Sequence, residues 1–588
     1  MSSAVQTTPV MKQFWEAKKK HPDSIMLFRM GDFYETFDKD AILTSEILGI
    51  ALTKRANGAA SAVPLAGFPY HSLEQHLHKL LRAGHRIAIC EQVEDPKLAK
   101  GIVKREVVEV LSPGTAISDR YLDKNENNFL CSIVLDKENC GFSVLDHSTG
   151  EFQTCLRKKS ELLTLLKKFS VTEVIIPEDQ ENELRTILDD TNIFISLIPD
   201  WCRNYTTAHD TITSFFNVSS VKGFGIAENP LAISAAACAI YYVDQNYKGR
   251  IQHITSLSLM KRDGVMGLDS FTIRNLEIFQ SLSNQGVHGT LIKVIDKTVT
   301  SSGSRLLKNW IREPLIDKKQ INSRLNRVEE FYKDQSLLKN IIDILKEMSD
   351  MERILAKIAS EKASPIDILN LGITLKKIPV IKEIISKKNK SILVLINSFD
   401  NTDSIADSIM DHIHNEPPIN TKKGGYIRDG FSNKLDEYRN LANDVSHWMQ
   451  NMQEEERRNT NIPSLKVGFN KVFGYFIEVT KVHIDKVPEN YIRKQTLTNS
   501  ERYFTEELKC YEEKILSAEE KIISLESRIF QSLQKEILLN AKRIQHNAKI
   551  ISRLDVASSL ASLAILKNYQ RPIINNSYDL RIVDGRHP

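Results

Sequence analysis

The stretch IMLFRMGDFYE, residues 25–35, decides how the N-terminal part of this chain folds. Its first four residues are apolar, as in a buried strand, and Gly31-Asp32 is a dipeptide typical of tight turns. Phe33, Tyr34 and Glu35 follow the turn directly. We therefore predict a strand that ends at a rigid turn from which an aromatic ring projects. An aromatic pair after a turn is more often part of a core, and the local pattern leaves both interpretations open.

A projecting ring beside a carboxyl group could test base pairs. An apolar ring that enters the minor groove of duplex DNA unstacks a base step, and a mispaired step deforms more readily than a matched one. The carboxyl group of Glu35 could hydrogen-bond a displaced base. We expect nearby phosphates to raise its pKa, which would allow it to act as a donor.

The sequence around this stretch predicts a small mixed α/β domain. Residues 11–20 have the pattern of a helix, and Ser72 is a candidate N-cap for a second helix over residues 73–83. Gly84 is the candidate residue that ends this helix, and residues 86–90 have the pattern of the strand that follows.

Farther along, the pattern changes three times. Residues 129–250 mix strand and helix patterns, whereas long helical patterns dominate after Gly264. A long amphipathic helix is predicted from Asn433, and β-type chemistry interrupts the helices at residues 464–482. A heptad repeat then predicts a returning helix, through Leu508, Ile515, Ile522 and Ile529.

The composition of the chain limits the classes of protein to which it can belong. A chain of 588 residues with 41% hydrophobic and 26% charged residues is expected to form several globular domains. It contains no apolar run of the roughly 20 residues that span a bilayer and no signal-peptide pattern, so we expect a cytoplasmic protein. The seven cysteines form no CxxC pair, and we predict neither disulfides nor a zinc site. A net charge of +4 does not by itself establish a nucleic-acid partner.

Several motifs, in order along the chain, resemble the MutS family of mismatch-repair proteins. They are FRMGDFYETFDKDA at 28–41, LTKR at 52–55, PLAGFPYHSLEQHLHKLLRAG at 64–84, AICEQVEDP at 88–96, GLDSFTIRNLEIFQ at 267–280, GSRLLKNWIREPL at 303–315, LKVGFNKVFGYFIEVT at 465–480, YIRKQTLTNSERY at 491–503 and LRIVDGRHP at 580–588. The resemblance implies a multidomain fold of α/β domains followed by an all-α region. Its expected parts are a mismatch-binding domain (1–118), a ribonuclease-H-like connector (125–250), a helical core with the first lever helix (262–458), a β clamp (459–506), a returning lever helix (507–567) and the beginning of an ATPase domain (568–588).

The resemblance also implies roles for individual residues. The family's Phe-x-Glu motif falls on Phe33, as the intercalating ring, and Glu35, as the base contact, which leaves Tyr34 for packing. Residues 466–504 contain seven lysines and arginines but only four acidic residues, together with hydroxyl and amide donors. This composition suits binding to phosphate oxygens. The expected contacts to the DNA backbone are Lys54, Arg55, Arg105, Lys471, Arg493, Lys494, Gln495, Thr496, Thr498, Asn499 and Arg502.

The family's ATPase needs a GxxxxGK[ST] loop, and this sequence contains none. We therefore expect a chain that stops at the start of the ATPase domain, is not itself an enzyme, and has no catalytic, cofactor or metal site. ATP and Mg²⁺ would belong to the full-length protein. The implied partners are double-stranded DNA with mismatches or small loops, a second copy of the full-length chain and a MutL-type repair protein, in a bacterial cytoplasm and associated with the nucleoid.

Two other function classes stay open. One is a structure-selective DNA-binding relative, and the other is a metal-dependent nuclease that uses Asp136 and Asp146 of the second domain. Turn and surface roles are favoured for these two aspartates. His412 and His414 lie in a Pro-rich connector without metal-ligand spacing, which favours a solvated loop.

Overall fold

The computed structural model describes residues 8–57, 60–94, 102–117, 122–188, 193–260, 264–283, 286–385, 389–418, 421, 424–470 and 474–588. The chain forms two compact units. The first consists of Met1–Ala363, Thr374–Thr402 and Leu538–Pro588, and the second of Ser364–Ile373 and Asp403–Ile537.

The N-terminal domain is a six-stranded sheet flanked by helices. Its sheet order is β3-β4-β2-β1-β5-β6, with β1 parallel to β5 and the other neighbours antiparallel. The elements in chain order are α1 (Pro9–Lys20), β1 (Ser24–Met30), β2 (Phe33–Phe37), α2 (Lys39–Leu48), β3 (Thr53–Asn57), β4 (Ala60–Pro69), α3 (Leu73–Arg82), β5 (Arg86–Gln92) and β6 (Arg105–Leu111).

Most local predictions for this domain are confirmed. Helix α1, strand β1 and strand β5 lie where their patterns predict them, and Gly84 has the left-handed φ of +83° that ends a helix. Ser72 occupies the N-cap position of α3, as predicted. Ser72 precedes α3, but it belongs to a short 3₁₀ turn (Tyr70–Ser72), and its side chain makes no capping hydrogen bond.

The second domain is also α/β. Its sheet has the order β11-β10-β7-β8-β9-β12. Helix α7 (Pro230–Tyr247) packs so closely on this sheet that a Cβ atom at Gly141 would lie only 1.9 Å from the carbonyl oxygen of Leu231. Only glycine fits at this position. The elements are β7 (Leu130–Leu135), β8 (Asn139–Asp146), β9 (Glu151–Lys158), α4 (Leu162–Lys168), β10 (Glu173–Pro177), α5 (Glu181–Ile187), β11 (Phe194–Ile198), α6 (Tyr205–Phe215), α7 (Pro230–Tyr247) and β12 (Ser258–Leu259).

Helices dominate the remainder of the chain. Six of their described N-termini are capped by side chains that accept a backbone N–H, those of Asp269, Thr290, Thr300, Asp317, Asp334 and Asp350. The helices are α8 (Ser270–Asn275), α9 (Leu291–Ile295), α10 (Ser301–Arg312), α11 (Lys318–Lys333), α12 (Gln335–Lys346), α13 (Met351–Ala359), α14 (Pro365–Ile384), α15 (Lys390–Ile396), α16 (Asp403–His412), α17 (Asn433–Thr460), α18 (Glu506–Leu539) and α19 (Ala541–Lys567). None of the helices in the described ranges is both long and apolar enough to cross a membrane.

A small sheet, which we call the tip sheet, interrupts the helices of the second unit. Its strands are β13 (Lys466–Asn470), β14 (Gly474–Thr480), β15 (Ile492–Thr496) and β16 (Ser500–Phe504), in the order β13-β14-β16-β15. Ile477, Val479 and Tyr503 pack under it, together with Leu508 at the start of α18. The predicted fold class, α/β domains followed by helices with a β tip, is thus confirmed.

Candidate nucleic-acid interface

Phe33 projects from a tight hairpin at the end of β1. Met30 pairs with Phe33, so that Gly31-Asp32 is a two-residue loop between β1 and β2. Gly31 has a φ of +56°, which suits the first position of a type II′ turn and is unfavourable for other residues. The Phe33 side chain is 47% exposed, although it is a large apolar ring. The turn therefore presents the ring to solvent, and a core role for it is excluded.

Alternation along β2 separates Phe33 and Glu35 from Tyr34. Successive side chains of a strand point to opposite faces, so residues 33 and 35 share one face. Tyr34 is 3% exposed, belongs to the core of the domain, and donates a hydrogen bond to Glu91. The packing role predicted for Tyr34 is thereby confirmed.

Glu35 is paired with Arg55. The Nη1 atom of Arg55 lies 2.6 Å from Oε2 of Glu35, across the β2-β4-β3 part of the sheet. Burial raises the pKa of Glu35, and the Arg55 guanidinium opposes that rise. Gly67 lies opposite Glu35 in β4, where a Cβ atom would be 3.3 Å from Cγ of Glu35 and 3.0 Å from the Tyr34 carbonyl oxygen. Gly67 therefore leaves the space in which the Glu35 side chain lies.

The other two predicted backbone contacts of this domain differ in their surroundings. Lys54 is exposed on β3. Arg105 is engaged within the domain: its Nε donates to the Arg29 carbonyl oxygen at 2.7 Å and its Nη1 to that of Val103 at 2.9 Å. Burial lowers the pKa of Arg105, and its guanidinium lies 5.3 Å from the ring centroid of Phe28. Arg105 therefore joins β6 to the end of β1, which carries the hairpin.

Some of the predicted contacts of the tip sheet lie along one of its edges. Strand β15 is an edge strand, and the Arg493 side chain on it is 64% exposed, with Nη1 3.6 Å from Oε1 of Glu501. The Lys494 ammonium lies 5.4 Å from the ring centroid of Phe504. Exposed hydroxyl and amide groups continue beyond Arg493, at Thr496, Thr498 and Asn499. Lys471 lies outside the described residues.

Arg502 and Gln495 are engaged with each other inside this sheet. Arg502 donates from Nε to Oε2 of Glu478 at 2.9 Å and from Nη1 to Oε1 of Gln495 at 3.1 Å. Its guanidinium also lies 4.1 Å from the ring centroid of Phe476. These two hydrogen bonds tie Arg502 on β16 to β14 and β15.

Family models and individual relatives point to the same family in every part of the chain that they cover. Residues 8–120 match the model of MutS domain I, residues 128–255 that of MutS domain II, and residues 271–561 that of MutS domain III. The DNA mismatch repair protein MutS of Salinibacter ruber is 41% identical over 587 residues, which are 99% of this chain and 65% of that protein. The MutS proteins of Parabacteroides distasonis and Phocaeicola vulgatus are 43% and 42% identical, over 99% and 100% of this chain and 67% of each relative.

This chain belongs to the MutS family. It spans 65% to 67% of the length of these three relatives. The exposed hairpin lies within the match to MutS domain I, and the tip sheet within the match to MutS domain III. The two candidate contact regions therefore belong to different parts of the MutS architecture.

The structure adds two residues that the sequence did not single out. Tyr70 is 45% exposed and follows Pro69, the residue of β4 that pairs with Phe33. Its backbone N–H donates to the Asp32 carbonyl oxygen at 2.9 Å, and the Arg29 guanidinium lies 4.0 Å from its ring centroid. Arg29 also donates to the carbonyl oxygen of Gly31 at 2.5 Å. Tyr70 and Arg29 thus support the turn from both sides.

The aspartates that raised the nuclease alternative are far apart. Asp146 is the last residue of β8, whereas Asp136 lies in the turn before β8, so the length of this eight-residue strand separates them by roughly 25 Å. Asp146 is buried: its Oδ1 accepts from the N–H and Oγ of Ser148, and its Oδ2 accepts from the side chain of Asn127. Asp146 therefore holds a turn, as favoured from the sequence.

The solvated loop favoured for His412 is wrong, because His412 is the half-buried last residue of helix α16. Its Nδ1 lies 2.6 Å from the carbonyl oxygen of Ser408, and its ring stacks at 4.0 Å on that of Phe431. Among the residues that the structure describes, no group of three or more metal-ligating side chains occurs.

Proposed function

We propose that this chain recognises mismatched or unpaired bases in duplex DNA, as the sensing part of a DNA mismatch-repair protein. The observation that carries the proposal is the exposed Phe33 ring on a two-residue hairpin, with Glu35 on the same strand face. Family membership and the names of the relatives, all mismatch repair proteins, support it. Phe33 enters the minor groove at a base step that already deforms easily, and Glu35 hydrogen-bonds the displaced base.

The test compares Phe33→Ala with Phe271→Ala. Phe271 is also exposed, at 72%, but lies on α8 and outside the proposed contacts. Dissociation constants for a matched duplex, a G·T duplex and a duplex with one unpaired base are measured at several salt concentrations. Phe33→Ala should bring the ratio of matched to mismatched constants close to about one, because only the wedge senses deformability, while binding to matched DNA changes little. A ratio unchanged in Phe33→Ala, or lost equally in Phe271→Ala, would refute the wedge.

The tip sheet supplies contacts to the DNA backbone in this proposal. The exposed donors of β15 and its turn offer one cation and several hydroxyl or amide groups, which suit phosphates and read no base sequence. Lys54 does the same beside the hairpin. A four-way junction added to the binding comparison separates mismatch recognition from structure-selective binding, because a structure-selective protein would prefer the junction to both linear duplexes.

For the whole protein, the family likeness supports further proposals. They are ATP binding with Mg²⁺ and a weak DNA-dependent ATPase, a homodimer, a MutL-type partner, and a location in the cytoplasm near the nucleoid. The 588 residues contain no GxxxxGK[ST] loop to hold the phosphates, so no step of the recognition proposed above passes through ATP or Mg²⁺. We propose that these residues bind and sense DNA and catalyse no reaction themselves.

A further inference from the structure

A polar cavity lies in the helical part of the first unit, and none of the proposed DNA contacts lines it. It has a volume of about 260 Å³ and lies between α10, α11 and α19. Its basic lining consists of Arg324 and Arg327 from α11 and Arg553 from α19, and Trp310 of α10 forms an aromatic wall. No acidic residue lines it.

The three guanidinium groups have no carboxylate partner in the described part of the chain. The Arg324 guanidinium lies 3.6 Å from the ring centroid of Trp310, and Nη2 of Arg327 donates to Oγ of Ser323 at 3.0 Å. These contacts orient the two groups, and neither contact neutralises their positive charge.

The nearest acidic residues of α11 have other partners. Glu330 accepts hydrogen bonds from the backbone N–H groups of Ser391 at 2.7 Å and Ile392 at 3.0 Å, at the start of α15. Glu329 is paired with Lys333 and Arg571. The charge in the cavity is therefore not an ordinary surface network in which acids and bases alternate.

Burial and the neighbouring arginines both make the charged form of Arg324 and Arg327 less favourable. Burial, together with the charges of Arg327 and Arg553, lowers the pKa of Arg324 to about 10. Burial and the charge of Arg553 also lower the pKa of Arg327, and the charge of Glu330 only partly opposes this. Three positive charges close together repel one another. A bound anion would reduce this repulsion and would give each guanidinium a charge-assisted hydrogen bond.

We propose that this cavity binds a small anion that carries a phosphate group. A water molecule takes up about 30 Å³ in the liquid, so the cavity has room for a phosphate or a pyrophosphate after water leaves. The planar forks of Arg324, Arg327 and Arg553 can each hold two phosphate oxygens. The three groups surround one cavity, which fits a compact anion better than the extended row of phosphates along a DNA strand. This site is independent of the proposed mismatch recognition.

Calorimetric titration of the whole chain with inorganic phosphate, pyrophosphate and adenosine monophosphate tests this proposal. The key variant is Arg553→Gln, and the matched control is Arg543→Gln, an exposed arginine on the same helix α19 that does not line the cavity. Both arginines are exposed, so both variants should fold, which circular dichroism verifies. Arg327→Gln provides a second variant from the other helix.

Pyrophosphate should bind to one site, with a dissociation constant that rises roughly tenfold or more in Arg553→Gln and Arg327→Gln and stays unchanged in Arg543→Gln. Tighter binding of adenosine monophosphate than of inorganic phosphate would identify a nucleotide as the source of the phosphate group, and equal binding would identify the free ion. Absence of saturable binding, or equal weakening in Arg543→Gln, would overturn the proposal. Displacement of bound pyrophosphate by a matched DNA duplex would also overturn it, because the cavity would then be part of the DNA interface.

Discussion

Glu35 has two competing partners in the proposed recognition step. In the free chain its carboxyl group is held by Arg55 at 2.6 Å, and in the complex it must reach a base. Burial raises the pKa of Glu35, whereas the charge and the hydrogen bond of Arg55 lower it. A DNA phosphate that attracts the Arg55 guanidinium would remove the opposing effect. Backbone contact by Arg55 and protonation of Glu35 are thus coupled through one ion pair.

This coupling predicts how mismatch preference depends on pH. Because the pKa of Glu35 is raised, its carboxyl group stays protonated, and can donate, to a higher pH than a free glutamic acid. The donor is lost as the pH rises through the folded-state pKa, so the preference for G·T over matched duplex should fall with rising pH. Glu35→Gln keeps an N–H donor at every pH and should flatten the profile.

Arg55→Gln provides the complementary variant. Without the guanidinium the pKa of Glu35 should rise further, and the fall in preference should move to higher pH. The quantity to compare is the ratio of dissociation constants for the two duplexes, between about pH 5 and 8, since a lost phosphate contact weakens both alike. If Glu35→Gln shows the same pH profile as the parent chain, Glu35 is not the titrating group.

At the scale of elements, the tip sheet divides its arginines into two kinds. Arg493 is on the edge strand β15, with a side chain that is 64% exposed, whereas Arg502 on β16 is 19% exposed and bound to Glu478 and Gln495. Arg493→Ala should weaken binding to every duplex and reduce the slope of log affinity against log salt by about 0.9, the contribution of one phosphate contact.

Arg502→Ala should act differently. It removes the hydrogen bonds that join β15 and β16 to β14, so it should lower the resistance of the tip sheet to proteolysis and change the salt slope less than Arg493→Ala does. Filter binding at four or more salt concentrations, together with limited proteolysis, separates the two effects. Equal slopes in the two variants would place both guanidinium groups on the DNA backbone.

The contrast between Arg493 and Arg502 shows which structural features the sequence alone can predict. Local patterns predicted α1, β5 and the long helix α18, because the spacing of apolar residues is set by the element that contains them. The local turn alone left open whether Phe33 is exposed or part of a core, and its 47% exposure is seen only in the folded domain. The sequence shows that Arg502 is charged, but its partner Glu478 is brought opposite it only by the pairing of β14 and β16.

Contacts between distant segments were beyond the reach of pattern analysis. Tyr70 lies beside the hairpin because β2 pairs with β4, and Arg553 meets Arg324 only when α19 packs on α11. The roles of such residues depend on tertiary neighbours, which periodicity does not encode. The family resemblance supplied Phe33 and Glu35 because both lie within one short motif.

At the scale of the whole first unit, one buried arginine connects three distant parts of the chain. Arg305 of α10 has a side chain that is 4% exposed. Its guanidinium contacts both carboxylate oxygens of Asp350, at 2.7 and 3.1 Å, and Oε2 of Glu352 at 2.8 Å. It also donates to the carbonyl oxygen of Lys124 at 3.0 Å, in the segment between the first two domains.

Removing this guanidinium should destabilise the first unit strongly. In Arg305→Met the methionine fills part of the space, but Asp350 and Glu352 remain buried without their cation, which costs about 3–5 kcal/mol in typical proteins. Adding Glu352→Gln removes one orphaned charge and should restore part of the loss. Arg250→Met is the control, because the Arg250–Glu361 pair is more than half exposed and such pairs contribute little.

The midpoint of urea unfolding, followed by tryptophan fluorescence, and the rate of proteolysis between residues 122 and 128 are the measurements. A lower midpoint in Arg305→Met, with partial recovery in the double variant and none of the loss in Arg250→Met, would show that buried charge pairing holds this segment to the helices. A midpoint for Arg305→Met equal to that of Arg250→Met would show instead that apolar packing alone carries the junction. Phe33 would then be anchored to the helical part of the unit by the cores of its domains, without an electrostatic tie.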